Sequence, residues 1–252
     1  MPNNKCIIGL AGKAGAGKDT VATMLEYMFK RKTKATFAEW HRMELTKSHN
    51  NDNTIHFADN LKRVCALIFG IPYQYFQDRE YKDNLLYSLN DRIFMGEKQI
   101  TNDYREITID YLNSRTLEEA KYILESNNYK PVIRLRTILQ YIGTDVCRKM
   151  IDKNVWVDSA MIDAHNIADS NNYSIIADVR FETEADAIMG SSLYGGLILI
   201  ERDGLIGSNH SSEKIEFNCP LIIDNNGTKM QLFYKVYDIF IKEILPLYKQ
   251  KV

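Results

Sequence analysis

The sequence has few features of a membrane protein or of a protein from an oxidising compartment. No apolar run approaches the roughly 20 residues of a membrane-spanning helix. The apolar run near the N-terminus is too short for the hydrophobic part of a signal peptide. Only four cysteines occur in 252 residues, and no two of them form a C-x-x-C pair. We therefore expect a cytoplasmic protein with reduced core thiols, no disulfide or zinc site, and no membrane partner.

The sequence also lacks an excess of charge of either sign. Its 32 Lys and Arg residues face 33 Asp and Glu residues, for a net charge of −1. This balance argues against a general binder of nucleic acid or anionic membranes, so any affinity for anions must be local. The N-K-x-D guanine motif and a DNA-tracking basic stripe are both absent from the sequence, which disfavours a switch GTPase or a motor. The length suits one α/β domain with an insertion, or two small domains.

The most informative stretch follows a short apolar run, Cys6–Ala11. It reads Gly12-Lys13-Ala14-Gly15-Ala16-Gly17-Lys18-Asp19-Thr20 and leads into apolar residues at helical spacing. A strand, a glycine loop, a lysine and a helix form the context of a phosphate-binding loop. Glycines let successive backbone N–H groups curl around an anion, and the helix N-terminus adds positive charge. We expect Lys18 to supply a point charge for the outer phosphates.

The loop departs from the general phosphate-loop pattern at one position. Asp19 stands where serine or threonine is usual. An acid beside a polyphosphate is repulsive unless a metal lies between them, so Asp19 is interpreted as a direct or water-mediated Mg²⁺ partner. Thr20, about 100° further round the helix, is better placed for the α-phosphate. The alternative is a glycine-rich turn without chemical use.

Continuous apolar strands alternate with amphipathic helices along the rest of the chain. Besides the first strand, four segments read as strands: Thr54–Ala58, Tyr173–Asp178, Gly196–Ile200 and Pro220–Asp224. This pattern predicts an α/β fold with a five-stranded parallel sheet and helices on both faces. Ligands bind such sheets at the carboxyl ends of the strands, where the glycine loop, Asp178 and Arg202 fall.

Asp178 and Arg180 are the second candidate for chemistry. An acid ending a buried strand near a phosphate loop can hold Mg²⁺ through water, and Arg180 can grip a phosphate with two parallel hydrogen bonds. The structural alternative is that Asp178 caps the next helix and Arg180 forms a surface ion pair.

A polar stripe on the predicted helix Arg134–Met150 is the third candidate. Arg136, Gln140 and Thr144 cluster beside its buried face, with Gly143 removing bulk next to them. This mixture suits the phosphate, sugar and base edges of a nucleotide, although a solvated helix face is the ordinary explanation. Lys62 fits a second phosphate contact but is equally consistent with solvation. Lys82 lies in a charged run that is more typical of a solvated surface.

Several motifs in this order resemble the deoxynucleoside monophosphate kinases of tailed bacteriophages, a branch of the nucleoside monophosphate kinase superfamily. The resemblance covers nearly the whole chain, and residues 73–130 add little to it. It rests on these segments: Gly12–Thr20, Phe57–Lys62, Arg136 through Gln140 to Asp145, Trp156, Asp178–Phe181 with Glu182 and Glu184, and His210–Glu213. It implies a P-loop kinase fold, ATP with Mg²⁺, transfer of the γ-phosphoryl group to a deoxynucleoside monophosphate (dNMP), and, less directly, a homodimer in the host cytoplasm.

Site roles follow from the motifs and the resemblance together. The donor ATP is assigned to Gly12, Ala14, Gly15, Ala16, Gly17, Lys18, Asp19, Thr20 and Arg202. The acceptor dNMP is assigned to Lys62, Arg136, Gln140, Gly143, Thr144, Trp156, Arg180 and Glu184. Lys18, Arg136, Asp178 and Arg180 are the catalytic candidates, and Asp19 and Asp178 the metal candidates. Trp156 has two explanations, a base-stacking surface or core packing.

The domain prediction is a single kinase domain over residues 1–252 with two additions. Residues 73–133 form an inserted, mostly helical, acceptor-side subdomain, for which a helical cover without chemistry is the alternative. Residues 202–217 form a lid-like loop, for which an ordinary surface loop is the alternative. The competing functional hypothesis is a P-loop kinase acting on another small acceptor, of the dephospho-coenzyme A or phosphomevalonate type.

Overall fold

The computed structural model describes residues 5–48, 52–88, 93–94, 107–108, 116, 118–119, 122, 131–205, 215 and 217–246. The chain divides into two compact units. Unit 1 comprises Met1–Phe57 and Trp156–Val252, and unit 2 comprises Ala58–Val155. None of the helices in the described ranges is long and apolar enough to cross a membrane.

Helices and strands follow one another in chain order. The first part of unit 1 contains β1 Cys6–Ala11, α1 Lys18–Arg31, a 3₁₀ turn Lys32–Lys34, α2 Phe37–Leu45 and β2 Thr54–Ile55. Unit 2 contains α3 Asp59–Phe69, α4 Tyr73–Gln77, α5 Arg79–Asp83, β3 Leu86–Ser88, β4 Ile93–Phe94, β5 Ile107–Thr108, β6 Pro131–Arg134, α6 Leu135–Gln140 and a π-helix Tyr141–Ile151. The chain then continues with α7 Val155–Asn171, β7 Tyr173–Val179, α8 Glu182–Met189, β8 Tyr194–Glu201, β9 Leu221–Asp224, α9 Lys229–Ile239 and a π-helical turn Phe240–Ile244.

Unit 1 is built on a five-stranded sheet in the order β2-β7-β1-β8-β9. Every pair of neighbouring strands is parallel, with Cys6 opposite Tyr173 on one side and Tyr194 on the other. Parallel neighbours need crossover connections, and β8 and β9 are the neighbours in this sheet that also follow each other directly in the chain. The predicted five-stranded parallel sheet is confirmed.

The sheet buries both of its faces. Alternate residues of β1 point to opposite sides, so Ile8 and Leu10 pack in one core cluster and Ile7 and Ala11 in another. The first cluster includes the apolar residues of α1 and α9, and the second those of α7 and α8. Burial on both sides explains why the strands read as continuous apolar runs.

Helix α2 lies within the polar stretch from Lys30 to Asn53. Thr36 begins it, and its hydroxyl accepts a hydrogen bond from the Glu39 N–H at 3.4 Å. The helix buries Trp40 against Phe233, with ring centroids 5.9 Å apart. Its signal was a capping-box pattern, threonine followed three residues later by glutamate, within an otherwise polar stretch.

The second predicted strand is shorter than expected. Only Thr54 and Ile55 pair with β7, whereas the sequence predicted a strand as far as Ala58. Ala58 is the N-cap of α3, and Asp59 lies inside the first turn. Gly70 ends α3 in the left-handed conformation, as the sequence indicated.

Unit 2 contains a second sheet of four short strands in the order β4-β3-β6-β5. Its core includes Cys65, Phe76, Tyr87, Ile133 and Leu135. The segment 73–133, predicted to be mostly helical, therefore also contributes strands. The predicted helix carrying residues 117–124 and the lid-like loop at 202–217 lie mostly outside the described residues.

The predicted helix Arg134–Met150 changes type along its length. It is α-helical over Leu135–Gln140 and π-helical over Tyr141–Ile151. A π-helix bonds residue i to i+5, so each residue turns less far about the axis than in an α-helix. The polar stripe was predicted with a rotation of 100° per residue. Residues after Gln140, including Thr144, therefore do not lie at the angles that this prediction gave them.

Candidate functional site: a phosphate loop and a cationic cluster

The glycine loop between β1 and α1 adopts a conformation that side chains rarely permit. Gly12, Gly15 and Gly17 have φ of 149°, 80° and 100°. A Cβ at Gly12 would lie 2.6 Å from the backbone oxygen of Ile200. Within the loop, the Ala16 N–H donates to the Lys13 carbonyl at 3.1 Å. Glycine is therefore required here both by backbone conformation and by the close approach of β8.

Lys18 and Asn225 hold the loop in shape. The Lys18 amino group donates to the carbonyls of Gly12 at 2.6 Å and Lys13 at 2.9 Å. The Asn225 side-chain amide, directly after β9, donates to the Ala16 carbonyl at 2.7 Å, and its backbone N–H donates to Glu201. The other predicted loop positions differ in exposure: Ala14 is exposed, Thr20 is half-buried and Ala16 is buried.

The two predicted metal ligands belong to unit 1. The Asp19 side chain is 87% exposed, and its Oδ1 lies 3.3 Å from Nε2 of His56. The Asp178 carboxylate, near the end of β7, accepts the Phe57 N–H at 2.9 Å. Phe181, not Asp178, is the N-cap of α8, so the structure does not support helix capping by Asp178.

The chemistry of these donors fits Mg²⁺. Among the residues that the structure describes, no group of three acidic, histidine or cysteine side chains converges on one point. Mg²⁺ is usually bound through one or two carboxylates, with waters and substrate phosphates as its other ligands. Asp19 and Asp178 supply oxygen donors of this kind.

Arg180 and Glu184 occupy different environments although they are close in sequence. The Arg180 side chain is half-buried and has no hydrogen bond or ion pair with any described residue. Glu184 is only 3% exposed, and its Oε2 accepts the backbone N–H groups of Arg180 at 2.8 Å and Phe181 at 3.2 Å. Its carboxylate thus caps α8, and the substrate contact expected of Glu184 stays a prediction.

Trp156 lies in α7 with 6% of its surface exposed. A base cannot stack on a ring that is covered to this extent, so the geometry supports core packing, one of the two explanations given above. Arg202 is exposed just after β8, and its side chain has no partner among the described residues.

A cavity of about 570 Å³ adjoins the loop. It is lined by Lys13, Leu199, Ile200, Glu201, Arg202, Asp203, Ile215 and Phe217. The lining combines apolar side chains with two cations and two acids, which suits an organic ligand with polar groups.

In unit 2, the Arg136 side chain is tied to a neighbouring helix. Its Nε and one terminal nitrogen donate to the two oxygens of Asp83 at 3.0 and 2.9 Å, a bidentate pair. Burial tends to raise the pKa of Asp83, but hydrogen bonds and charge from Arg136 lower it below the ordinary value. Gln140 and Thr144, which follow Arg136 in the chain, are both exposed.

Gly143 is buried rather than open to a ligand. A Cβ there would lie 2.6 Å from a methyl group of Leu61, so glycine allows α3 to pack on the π-helix. Packing explains this residue without a substrate. Lys62 is also largely covered, with its side chain 13% exposed and its amino group bonded to Asp59 at 3.1 Å and to Gln77 at 3.0 Å.

Sequence reasoning did not identify three residues that contact this machinery. Asn225 was assigned to a turn, His56 to a strand and Asp83 to a solvated charged run. Each contact joins segments far apart in the chain, by 209 residues for Asn225 and Ala16. The sequence offered one indication of these contacts, namely that each residue is polar and lies near the end of a helix or strand.

The sheet order, the left-handed glycine loop and the lysine at the start of α1 define a P-loop protein with the fold of the nucleotide kinases. A comparison with known families leads to a narrower result. The sequence model of the family described as deoxynucleotide monophosphate kinase matches residues 6–236. The chain therefore belongs to the deoxynucleotide monophosphate kinase family.

Two relatives agree with this assignment. The deoxynucleoside-5'-monophosphate kinase of Escherichia phage T5 is 23% identical over 230 residues, which cover 82% of this chain and 83% of the phage protein. A protein of Acanthamoeba polyphaga mimivirus, named provisionally as a deoxynucleotide monophosphate kinase, is 28% identical over 114 residues, 40% of this chain and 58% of its own length. ATP-dependent phosphorylation of a dNMP is thus confirmed as the activity, and another small acceptor is not favoured.

Proposed function

We propose that the glycine loop of unit 1 binds the triphosphate of ATP. The support is the positive φ of Gly12, Gly15 and Gly17. In such a backbone conformation, successive N–H groups can curl around an anion. Lys18 supplies positive charge at the outer phosphates and Thr20 contacts the α-phosphate. Arg202, beside the adjoining cavity, contributes to ATP binding from the strand end.

We propose further that Asp19 and Asp178 hold Mg²⁺. When bound there, the ion would offset the charge of the β- and γ-phosphates. His56 restrains the Asp19 carboxylate, and the Phe57 N–H restrains that of Asp178.

The acceptor is proposed to be held in unit 2 by Arg136, Lys62, Gln140 and Thr144, while the phosphate contact expected of Arg180, in unit 1, stays a separate prediction. A dNMP phosphate is largely dianionic at neutral pH because its second pKa is about 6, so no strong general base is required. The chain must instead align two anions and offset their charge, which is work for fixed cations. The Arg136 side chain is held in place by its hydrogen bonds to Asp83. The Arg180 side chain is half-buried and has no hydrogen bond or ion pair with a described residue.

The single observation that carries this proposal is the loop geometry with the Lys18 amino group folded onto it. The test is ADP release with ATP alone, then with each dNMP, each ribonucleoside monophosphate, and acceptors of the dephospho-coenzyme A and phosphomevalonate types. We expect release to require a dNMP. Release without any acceptor would contradict the assignment, because a kinase excludes water from its donor.

Lys18→Ala tests the loop itself. Loss of one preorganised charge is expected to lower kcat by roughly 10²-fold or more. The matched control is Lys229→Ala, an exposed lysine of unit 1 that pairs with Glu44. The loop assignment is wrong if the Lys18 variant keeps more than about half of the wild-type kcat.

A homodimer is also proposed, on the resemblance alone. Sedimentation equilibrium over a range of protein concentrations would test it, and a single species of monomer mass would contradict it.

A further inference from the structure

Lys82 belongs to a group of cations that includes Lys62 and Arg136 of the proposed acceptor site, although Lys82 itself has no role there so far. It lies on α5, which packs against α4 and α6. The Arg136 guanidinium reaches α5 through its bidentate pair with Asp83, the residue next to Lys82. Lys62 reaches α4 through its bond to Gln77. Three helices thus bring their basic side chains towards the same part of unit 2.

The charges of Lys62, Arg79 and Arg136 act on Lys82. Burial lowers the pKa of Lys82 below its ordinary value; the Asp83 carboxylate opposes this shift, and the other three cations add to it. The other three basic groups therefore lie within electrostatic range of Lys82. Grouped like charges are unfavourable unless an anion offsets them.

The carboxylates nearby offset only part of this charge. Asp83 is paired with Arg136 and Asp59 with Lys62. Arg79 and Lys82 remain, and neither side chain has a hydrogen bond or ion pair with a described residue. Asp78 and Glu80 lie in the same run, but the Asp78 carboxylate accepts the N–H groups of Glu80 and Tyr81 and the Glu80 carboxylate accepts the Asn84 amide. Arg79 and Lys82 are thus two cations without an ion pair to a described residue, and a phosphate monoester dianion offers the charge to pair with them.

We propose that Lys82 binds the 5'-phosphate of the nucleotide acceptor as a further cation beside Arg136 and Lys62. This inference rests on the proposed function, since it concerns the same acceptor. The half-buried position of Lys82 makes it suitable, because a partly desolvated ammonium binds an anion more strongly than a fully hydrated one. Asp83 fixes the orientation of the Arg136 guanidinium, so Arg136 can orient the phosphate. Lys82 adds a positive charge that forms no ion pair with a described carboxylate.

The decisive comparison is between a dNMP and its deoxynucleoside, which differ only in the phosphate. Isothermal titration calorimetry on the full chain measures the affinity for each of the four pairs. We expect Lys82→Met to weaken dNMP binding roughly tenfold to hundredfold, the scale of one charge-assisted hydrogen bond. Deoxynucleoside affinity and the KM for ATP are expected to stay within about twofold of wild type, because neither involves the acceptor phosphate.

Two further variants sharpen the result. Lys82→Arg keeps the charge and should keep most of the dNMP preference. Lys149→Met is the matched control, because this exposed lysine of unit 2 pairs only with Asp145 on its own helix. The inference fails if Lys82→Met keeps the wild-type preference for dNMP, or if it weakens deoxynucleoside binding equally.

A measurement on the wild-type chain avoids any dependence on how the variant folds. Brief acetylation followed by mass spectrometry reports the reactivity of each lysine. A dNMP should protect Lys82 while the deoxynucleoside does not, and Lys149 should react equally in both cases. Equal labelling of Lys82 with and without dNMP overturns the inference. If the wild type shows no dNMP-dependent ADP release at all, the proposed function fails and the inference fails with it.

Discussion

Gly12 offers a sharp test of why the phosphate loop needs glycine. Alanine at this position would keep φ at 149° and place a Cβ 2.6 Å from the Ile200 carbonyl oxygen. That oxygen belongs to β8 in the middle of the sheet, so it cannot move aside as a flexible side chain can. The loop itself must move, or the strand must shift.

Two other glycines separate backbone strain from collision. Gly15 has φ of 80°, and a Cβ there would meet only a Leu205 methyl group at 3.3 Å. Gly204 has φ of 71°, and no atom of the described residues lies within 4 Å of a Cβ placed there. Alanine at any of the three costs about 1–2 kcal/mol in backbone strain. At Gly12 alone the collision adds about 1–3 kcal/mol, the usual cost of overpacking.

The assay is thermal unfolding of the three variants together with the KM for ATP of the two loop variants. Gly15→Ala and Gly204→Ala should lower Tm by roughly 2–8 °C, given about 2–4 °C per kcal/mol for a chain of this size. Gly12→Ala should lose a further 1–3 kcal/mol or so, as lower Tm, as roughly 5- to 150-fold weaker use of ATP, or as both. If Gly12→Ala costs no more than Gly15→Ala in both measurements, the close approach of β8 does not constrain the loop.

Two further predictions concern acids in unit 1. Asp178→Asn should lower kcat and shift the Mg²⁺ dependence of the rate to higher concentration, whereas an unchanged Mg²⁺ titration with a lower Tm would indicate a purely structural role. Glu184→Ala should cost about 0.5–2 kcal/mol of stability through loss of the α8 cap, and Glu184→Gln should restore most of it because an amide oxygen also accepts these bonds. A raised KM for dNMP at normal Tm in Glu184→Gln would instead favour the original substrate assignment.

Much of the donor site was predictable because it is local. The strand, the loop and the helix are contiguous over Cys6–Arg31. The loop positions with positive φ are glycines, so the sequence indicates them directly. Apolar runs likewise identified the five strands, since a strand buried on both faces has no polar alternation. The short β2 was overestimated because its pairing ends where the chain leaves the sheet, and nothing in the residues marks that point.

The acceptor stripe was predicted less well, for a geometric reason. Arg136 and Gln140 lie on an ordinary α-helix, but the helix becomes π-helical at Tyr141. Helical periodicity assumes one rotation per residue throughout, so it cannot place Thr144 or show that Gly143 serves the packing of Leu61. The helix-capping contacts of Glu184 were not predicted, because its position in the sequence does not tell an inward cap from an outward ligand.

The sequence by itself determined the phosphate loop, the five-stranded parallel sheet and the family. Each of these depends on short stretches of consecutive residues, so a local pattern is enough to identify it. Tertiary structure alone decided that Asn225 braces Ala16, that His56 meets Asp19, and that Asp83 holds Arg136. These contacts depend on which strands become neighbours and which helices pack together. That choice is made by burial of the whole apolar surface, so no local pattern records it.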